Sequence, residues 1–244
     1  MRRRVHNYDR GAQEGVSYER LQRLLPRALR RYLLHFEAAI DDELAAFARQ
    51  LPKNTMVLDA GAGECSHAKY FPNNRYVAAD LGVGDKTWDY HKLDAVADLL
   101  ALPFPEFTFD SCINIVTLEH VREPGCALRE IARVLKRGGV FLAIVPHEWE
   151  VHQSPHDYFR YTRHGLEYLL QGAGFTDILI QPVGGYFRLL ARRLLNGLQF
   201  FPGLLFPLAA LFLVPPALLL PLFDSLDRDH NFTLGYVCSA RKPS

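Results

Sequence analysis

Two periodicities share this chain. Short apolar runs bounded by Asp, Gly or Pro recur at 55–59, 75–80, 92–97, 111–116, 140–145, 175–180 and 232–241. Runs this short and this apolar read as strands buried on both faces. Between them lie stretches with helical spacing, at 64–70, 126–135 and 163–172. Lys136-Arg137-Gly138-Gly139 reads as the stop of the second, and Thr162 as the cap of the third. Strands alternating with helices predict an α/β fold. Ahead of them, 18–50 reads as helix broken at Pro26, with Leu21, Leu24, Leu25 and Leu29 set among Arg20, Arg23, Arg27, Arg30 and Arg31. That pattern fits a solvated basic face over the cleft, or a contact with a membrane surface or an anionic substrate.

Past residue 181 the pattern changes. Residues 186–195 form an amphipathic stretch carrying Arg188, Arg192 and Arg193, and 194–223 hold no charge. The length suits a transmembrane helix. Prolines 202, 207, 215, 216 and 221 are expected to break it repeatedly. Since strands are predicted on both sides of it, the segment reads as a re-entrant or interfacial hairpin with arms of about 15 residues, roughly 22 Å each. A greasy dimer interface is the competing reading. The chain thus divides into a helical segment 1–50, a core 51–181, an insertion 182–231 and a last strand and tail 232–244.

Composition narrows the options. The 244 residues suffice for one buried α/β domain with an appendage, and a net charge of +1 predicts no nucleic-acid partner. The four cysteines have neither metal-like nor disulfide-framework spacing, which favours a reducing compartment. Met1-Arg2-Arg3-Arg4 has no apolar stretch behind it and is not expected to be an export signal.

The candidate chemistry starts at Asp59-Ala60-Gly61-Ala62-Gly63, where the first strand meets a glycine turn. Strand, glycine turn and helix form nucleotide sites at the carboxyl ends of strands. Ser66 stands where a dinucleotide fingerprint has its third glycine, and no Lys-Ser/Thr pair cradles a phosphate. Asp80 follows just under twenty residues later, where an acceptor-only carboxylate can take both ribose hydroxyls, with Leu81 beside it for the adenine face. The motif resembles the first motif of the class I S-adenosylmethionine-dependent methyltransferases. Leu102-Pro103-Phe104, Leu118-Glu119-His120 and Arg133-Val134-Leu135-Lys136 through Gly139 extend the resemblance over roughly 50–180, toward the ubiquinone-biosynthesis-type branch. The resemblance implies a Rossmann-like, seven-stranded, mostly parallel sheet with an antiparallel last strand, and S-adenosyl-L-methionine as cofactor. It places Asp98, with Leu99, opposite the adenine amino group, Asp94 being the substitute, and Thr117 in the cofactor cleft.

Methyl transfer to oxygen requires removal of a proton, for which His is suited near neutral pH. His120 ends the fourth strand; His152 and His156 lie in the aromatic-rich loop 146–162, which reads as a lid. Part of that loop resembles a pattern in methyltransferases of bacterial surface-glycan clusters. Some quinone O-methyltransferases bind a divalent metal through Glu-x-x-Glu-His; here Val116 replaces the first acid, so no metal is expected. The expected activity is O-methylation of an amphipathic or lipid-linked glycan or sugar, on the cytoplasmic face of a membrane engaged through 186–223, peripherally or monotopically. Alternatives are C- or O-methylation of a polyprenyl quinone, and a non-catalytic cofactor-binding scaffold.

Overall fold

The computed structural model describes residues 26–84 and 87–244. The predicted helix over 18–25, with Arg20 and Arg23, and the N-terminal arm lie outside the described residues. Two helices open the described chain, α1 (Arg27–Leu33) and α2 (His35–Gln50). Pro26 caps α1, and the break between the helices falls at Leu34.

Seven strands form one sheet: β1 (Met56–Ala60), β2 (Arg75–Asp80), β3 (Ala95–Val96), β4 (Phe109–Ile115), β5 (Leu135–Pro146), β6 (Thr176–Val183) and β7 (Gly235–Arg241). Their order is β3-β2-β1-β4-β5-β7-β6. The first five pair in parallel, and β7 runs antiparallel between β5 and β6. The fold is therefore the Rossmann-like one implied above. Helices α3 (Pro124–Val134) and α4 (Arg163–Gly172) cover one face through Leu128, Ile131, Leu166 and Leu170. On the other face, Phe36 and Leu44 of α2 pack on Val57, Ile113 and Ile144. The switch in strand order, where β1 meets β4 after running out to β3, opens the crevice in which such sheets bind ligands.

Three local expectations needed correction. The stretch 64–70 is not an α-helix: Cys65 takes a left-handed φ of 59° and only a 3-10 turn, Ser66–Tyr70, follows. The third strand is two residues long, not six. The glycines after α3 do not stop it. The helix ends at Val134, and Leu135 is already extended and buried, paired with Phe109. Lys136 reaches Asp110 at 2.7 Å, so Gly138 and Gly139 sit where the β4–β5 register shifts. The Thr162 cap is as expected, its hydroxyl accepting from the Gly165 N–H at 3.1 Å.

The insertion is a helical hairpin of unequal arms. It leaves after Val183 and returns at Gly235, which pair with each other. The first arm is α5 (Tyr186–Gly197); the second is α6 (Leu205–Leu219), continuing as a tighter helix to Leu226. That second arm spans 22 residues and is long and apolar enough to cross a membrane by length and composition. Repeated breakage by proline is corrected: the chain leaves helix at Pro202, between the arms, whereas Pro215 and Pro216 lie inside α6. Proline's fixed φ is compatible with helix; each costs one backbone hydrogen bond, while Leu213 and Ala217 pack against α5.

His35, at the start of α2, gives a stability prediction. Burial, reinforced by the Arg188 charge, lowers its pKa from 6.5 to about 4, against the opposing pull of Asp224 and Asp42. The unfolded chain takes up this proton as pH falls below about 6.5, and the folded chain does so only near 4. The stability linked to His35 is thus complete above pH 6.5 and is lost on the way down to 4. Discounted for partial exposure, the loss is about 1–2 kcal/mol. Urea unfolding at pH 7 and pH 4.5 should show a smaller acid loss for His35→Gln than for the parent; an identical loss refutes the assignment.

Candidate active site

The cleft begins at the carboxyl end of β1. Gly61 has φ +98° and Gly63 φ +50°, a region that favours glycine. A Cβ on Gly61 would lie 2.2 Å from the Thr117 methyl, so the turn passes directly under the end of β4. The Thr117 hydroxyl lies 3.1 Å from the Gly61 carbonyl, to which it can donate. Asp59 and Ala60 are fully buried beneath this turn rather than in the cleft wall. Asp59 Oδ2 accepts from the Tyr76 hydroxyl and lies 2.9 Å from His67 Nδ1, which ties the 3-10 turn to the strand. Asp59 is thus a positioning residue in this structure, and His67 is the group that reaches the cleft.

Asp80 spans the turn. Its Oδ2 accepts from the Gly63 N–H at 3.0 Å and its Oδ1 from the Gly82 N–H at 2.7 Å. Each oxygen keeps a lone pair for a ligand hydroxyl. Leu81 and Leu99 line the cleft, and Asp98 stands exposed at its rim, accepting from the Leu100 N–H at 2.9 Å. Asp94 instead accepts from the Ala78 N–H and secures the edge of β2. The same cavity, about 730 Å³, holds Gly61, Gly63, Asp80, Asp98 and Thr117 at one end and His120, His152 and His156 at the other. That volume suits a cofactor and part of an acceptor together.

Loop 146–162 builds the second end. The Tyr158 and Phe159 N–H groups donate to the Glu119 carbonyl, and the Tyr161 hydroxyl donates to the Leu118 carbonyl. Asp157 accepts from Arg160 at 2.6 and 2.8 Å and from the His152 N–H at 2.8 Å. The salt bridge holds the Asp157 carboxyl down at about 2, against the opposing effect of burial. Held in this way, His152 brings its Nε2 to 3.1 Å from His120 Nε2. His120 Nδ1 lies 2.7 Å from the His156 carbonyl, which assigns the proton to Nδ1 and leaves Nε2 for the cleft. Burial, with His152 nearby, keeps His120 below the usual imidazole range. The His156 ring itself contacts the Tyr158 hydroxyl at 3.1 Å. Behind the pair, the Glu119 side chain is fully buried and pushed up to about 8 by desolvation.

Comparison with known proteins settles the class. The methyltransferase domain family matches residues 58–143, the stretch from β1 through most of β5. The chain carries a class I, S-adenosylmethionine-dependent methyltransferase domain. A tRNA (carboxymethyluridine(34)-5-O)-methyltransferase from Arabidopsis thaliana is 30% identical over 121 residues, 46% of this chain and 28% of that protein. The chain spans less than a third of the length of the curated relatives it matches. Among solved structures, phosphoethanolamine N-methyltransferase 2 of Haemonchus contortus with S-adenosyl-L-methionine aligns at TM-score 0.55, 17% identity, over 84% of this chain and 53% of that one. The cyclase SpnF aligns at TM-score 0.52 and 22% identity, over 83% of this chain and 81% of that one. At these identities the structural likeness shows the fold alone.

Several cleft residues of the methyltransferase domain had only a weak signal in the sequence. His67 reaches the cleft only because Asp59 holds its ring, and Tyr158 because loop 146–162 folds back on Glu119. Trp88 packs within 3.1 Å of where a Gly63 Cβ would lie, closing the loop after β2 over the glycine turn. The hints available were a tryptophan in an otherwise mostly polar loop and, for Tyr158, the aromatic richness of 146–162.

Proposed function

We propose that this domain moves the methyl group of S-adenosylmethionine onto a hydroxyl oxygen of an amphipathic acceptor, a lipid-linked glycan or sugar, at the cytoplasmic face of a membrane. One observation carries the chemistry: His120 and His152, backed by the buried Glu119, line the same cavity as the glycine turn and Asp80. The acceptor hydroxyl loses its proton at that cluster. Its oxygen then forms the new C–O bond as the sulfonium S–C bond breaks, leaving neutral S-adenosylhomocysteine. The domain contributes alignment of the two reactants and a partly closed cleft. The Arabidopsis relative is a 5-O-methyltransferase, which supports oxygen as the nucleophile.

Membrane attachment rests on the hairpin. Leu204 is 94% and Phe212 68% exposed, and Leu205, Leu208, Leu211 and Leu219 join them. Apolar surface of this extent marks an interface. The basic flank expected to meet lipid headgroups is already used inside the protein. Arg192 is 6% exposed, bonds both Glu37 oxygens at 3.0 Å and lies 3.7 Å above the Trp149 ring. Arg193 pairs with Glu150 and Arg188 with Asp224. Among the described residues, exposed cations remain beside the hairpin at Arg27 and Arg30 on α1, whose Tyr32 hydroxyl donates to the Leu218 carbonyl, and at Arg228 just past its second arm. The attachment is therefore chiefly hydrophobic, with a smaller electrostatic part.

The test is labelled methyl transfer from S-adenosylmethionine into three separate pools: a lipid extract of the cell's own membranes, a polyprenyl quinone, and total tRNA, the last because of the tRNA relatives. Label in a base-stable ether of the glycolipid fraction is the expected result. Label in quinone or tRNA alone overturns the acceptor assignment. Cofactor binding without S-adenosylhomocysteine formation in any pool favours the scaffold alternative.

A further inference from the structure

The Glu119 carboxyl group lacks hydrogen-bond partners among the described residues, and both of its oxygens are buried. A buried carboxylate without partners is costly, and in native proteins such a group calls for an explanation. Its Oε1 lies 3.7 Å from His120 Nε2 and 3.8 Å from His152 Nε2, and the two nitrogens are 3.1 Å apart. A point equidistant from three atoms with those separations lies about 2.1 Å from each. That is the bond length of a divalent transition metal to imidazole nitrogen and carboxylate oxygen.

We propose that Glu119, His120 and His152 form a binding site for one divalent transition-metal ion at the acceptor end of the cleft. Two imidazoles and a carboxylate favour Zn²⁺, Fe²⁺, Mn²⁺ or Co²⁺ over Mg²⁺ or Ca²⁺. The surroundings of the two histidines match what metal ligands need. His120 Nδ1 faces the His156 carbonyl at 2.7 Å, leaving Nε2 with its lone pair toward the ion. His152 Nδ1 faces the Glu150 carbonyl at 3.2 Å and Asp157 Oδ2 at 3.5 Å, the carboxylate–histidine pairing that orients zinc ligands. Glu119 and His120 alone make an incomplete set, which is why no metal was expected. The third ligand comes from 32 residues further along the chain.

The site deepens the O-methylation reading and rests on it for its purpose. Three protein ligands leave coordination positions open, and the two histidines line the cavity. A hydroxyl entering an open position is acidified, so its proton leaves to water before the oxygen meets the methyl group. The ligand class this selects is a hydroxyl-bearing acceptor, and vicinal hydroxyls, as on a sugar ring, would bind best because both can coordinate.

Tag-free protein, dialysed against a chelator and then titrated with cobalt(II) chloride, tests the site without acceptor or cofactor. The expected result is saturation at one cobalt per chain, with visible absorption typical of mixed nitrogen and oxygen ligands, and displacement by zinc. His152→Ala, on a surface loop, and the near-isosteric Glu119→Gln should each weaken binding at least tenfold. His164→Ala, remote and exposed, should leave it unchanged. S-adenosylmethionine titrations on the same samples separate this proposal from the cofactor site. Cofactor binding without stoichiometric cobalt, or cobalt binding that survives His152→Ala, overturns the metal site and leaves an imidazole pair hydrogen-bonded beside a protonated Glu119.

Discussion

Gly61→Val abolishes S-adenosylmethionine binding in a protein that still folds. Two costs act together. The valine must adopt φ near +98°, which its branched Cβ disfavours. Its Cβ would also stand 2.2 Å from Thr117 Cγ2 and 2.5 Å from Oγ1, at the end of a strand that cannot retreat because β4 is paired on both sides. The glycine turn would move instead, dragging the Gly63 N–H from Asp80 and so losing the alignment of that carboxylate. Isothermal titration should show no binding at concentrations a hundredfold above the parental Kd, a loss of at least about 2.7 kcal/mol. Circular dichroism would verify that the fold persists. An affinity within threefold of the parent would mean the cofactor does not use this turn.

Replacing residues 201–222 with a short Gly/Ser linker is expected to abolish the proposed membrane attachment and leave cofactor affinity within threefold. The hairpin has its own small cluster, Ala191, Leu195, Leu198 and Ala217, separate from the clusters that sandwich the sheet. The linker must stop short of Asp224 and Asp227. Those carboxylates accept from the Gly185, Tyr186 and Arg188 N–H groups and so complete the first turn of α5. Each half-exposed leucine or phenylalanine transferred from water to lipid contributes about 1 kcal/mol, and the hairpin presents at least six. Flotation with phospholipid vesicles should therefore retain the parent and lose the variant. Loss of cofactor binding in the variant would make the segment part of the core, and flotation of the variant would move the attachment elsewhere.

The hairpin illustrates how far local rules extend. Amphipathicity in 186–195 correctly announced a helix with a basic side, because spacing along a helix is a local property. What the basic side would meet is not local. Glu37, Glu148, Glu150 and Asp224 come from three other parts of the chain and claim Arg188, Arg192 and Arg193 before any lipid can. The prolines show the converse. A rule about isolated helices was outweighed because the helix is supported along one side by α5.

By itself the sequence determined the alternation of buried strands and covering helices, the glycine turn, and the acid one strand later. Each depends on residues a few positions apart: an apolar run long enough to be a strand, a backbone φ that favours glycine, a carboxylate at the end of the neighbouring strand. The order of motifs then identified the cofactor class. Only the tertiary structure decided that Asp59 lies under the cleft while His67 reaches it, and that His152 rather than an acid at position 116 completes the set around Glu119 and His120. The second outcome depends on where loop 146–162 is held, by two N–H groups on the Glu119 carbonyl and by the Asp157–Arg160 pair. Contacts between residues more than thirty positions apart leave no period in the sequence, because what brings them together is the path of the folded chain.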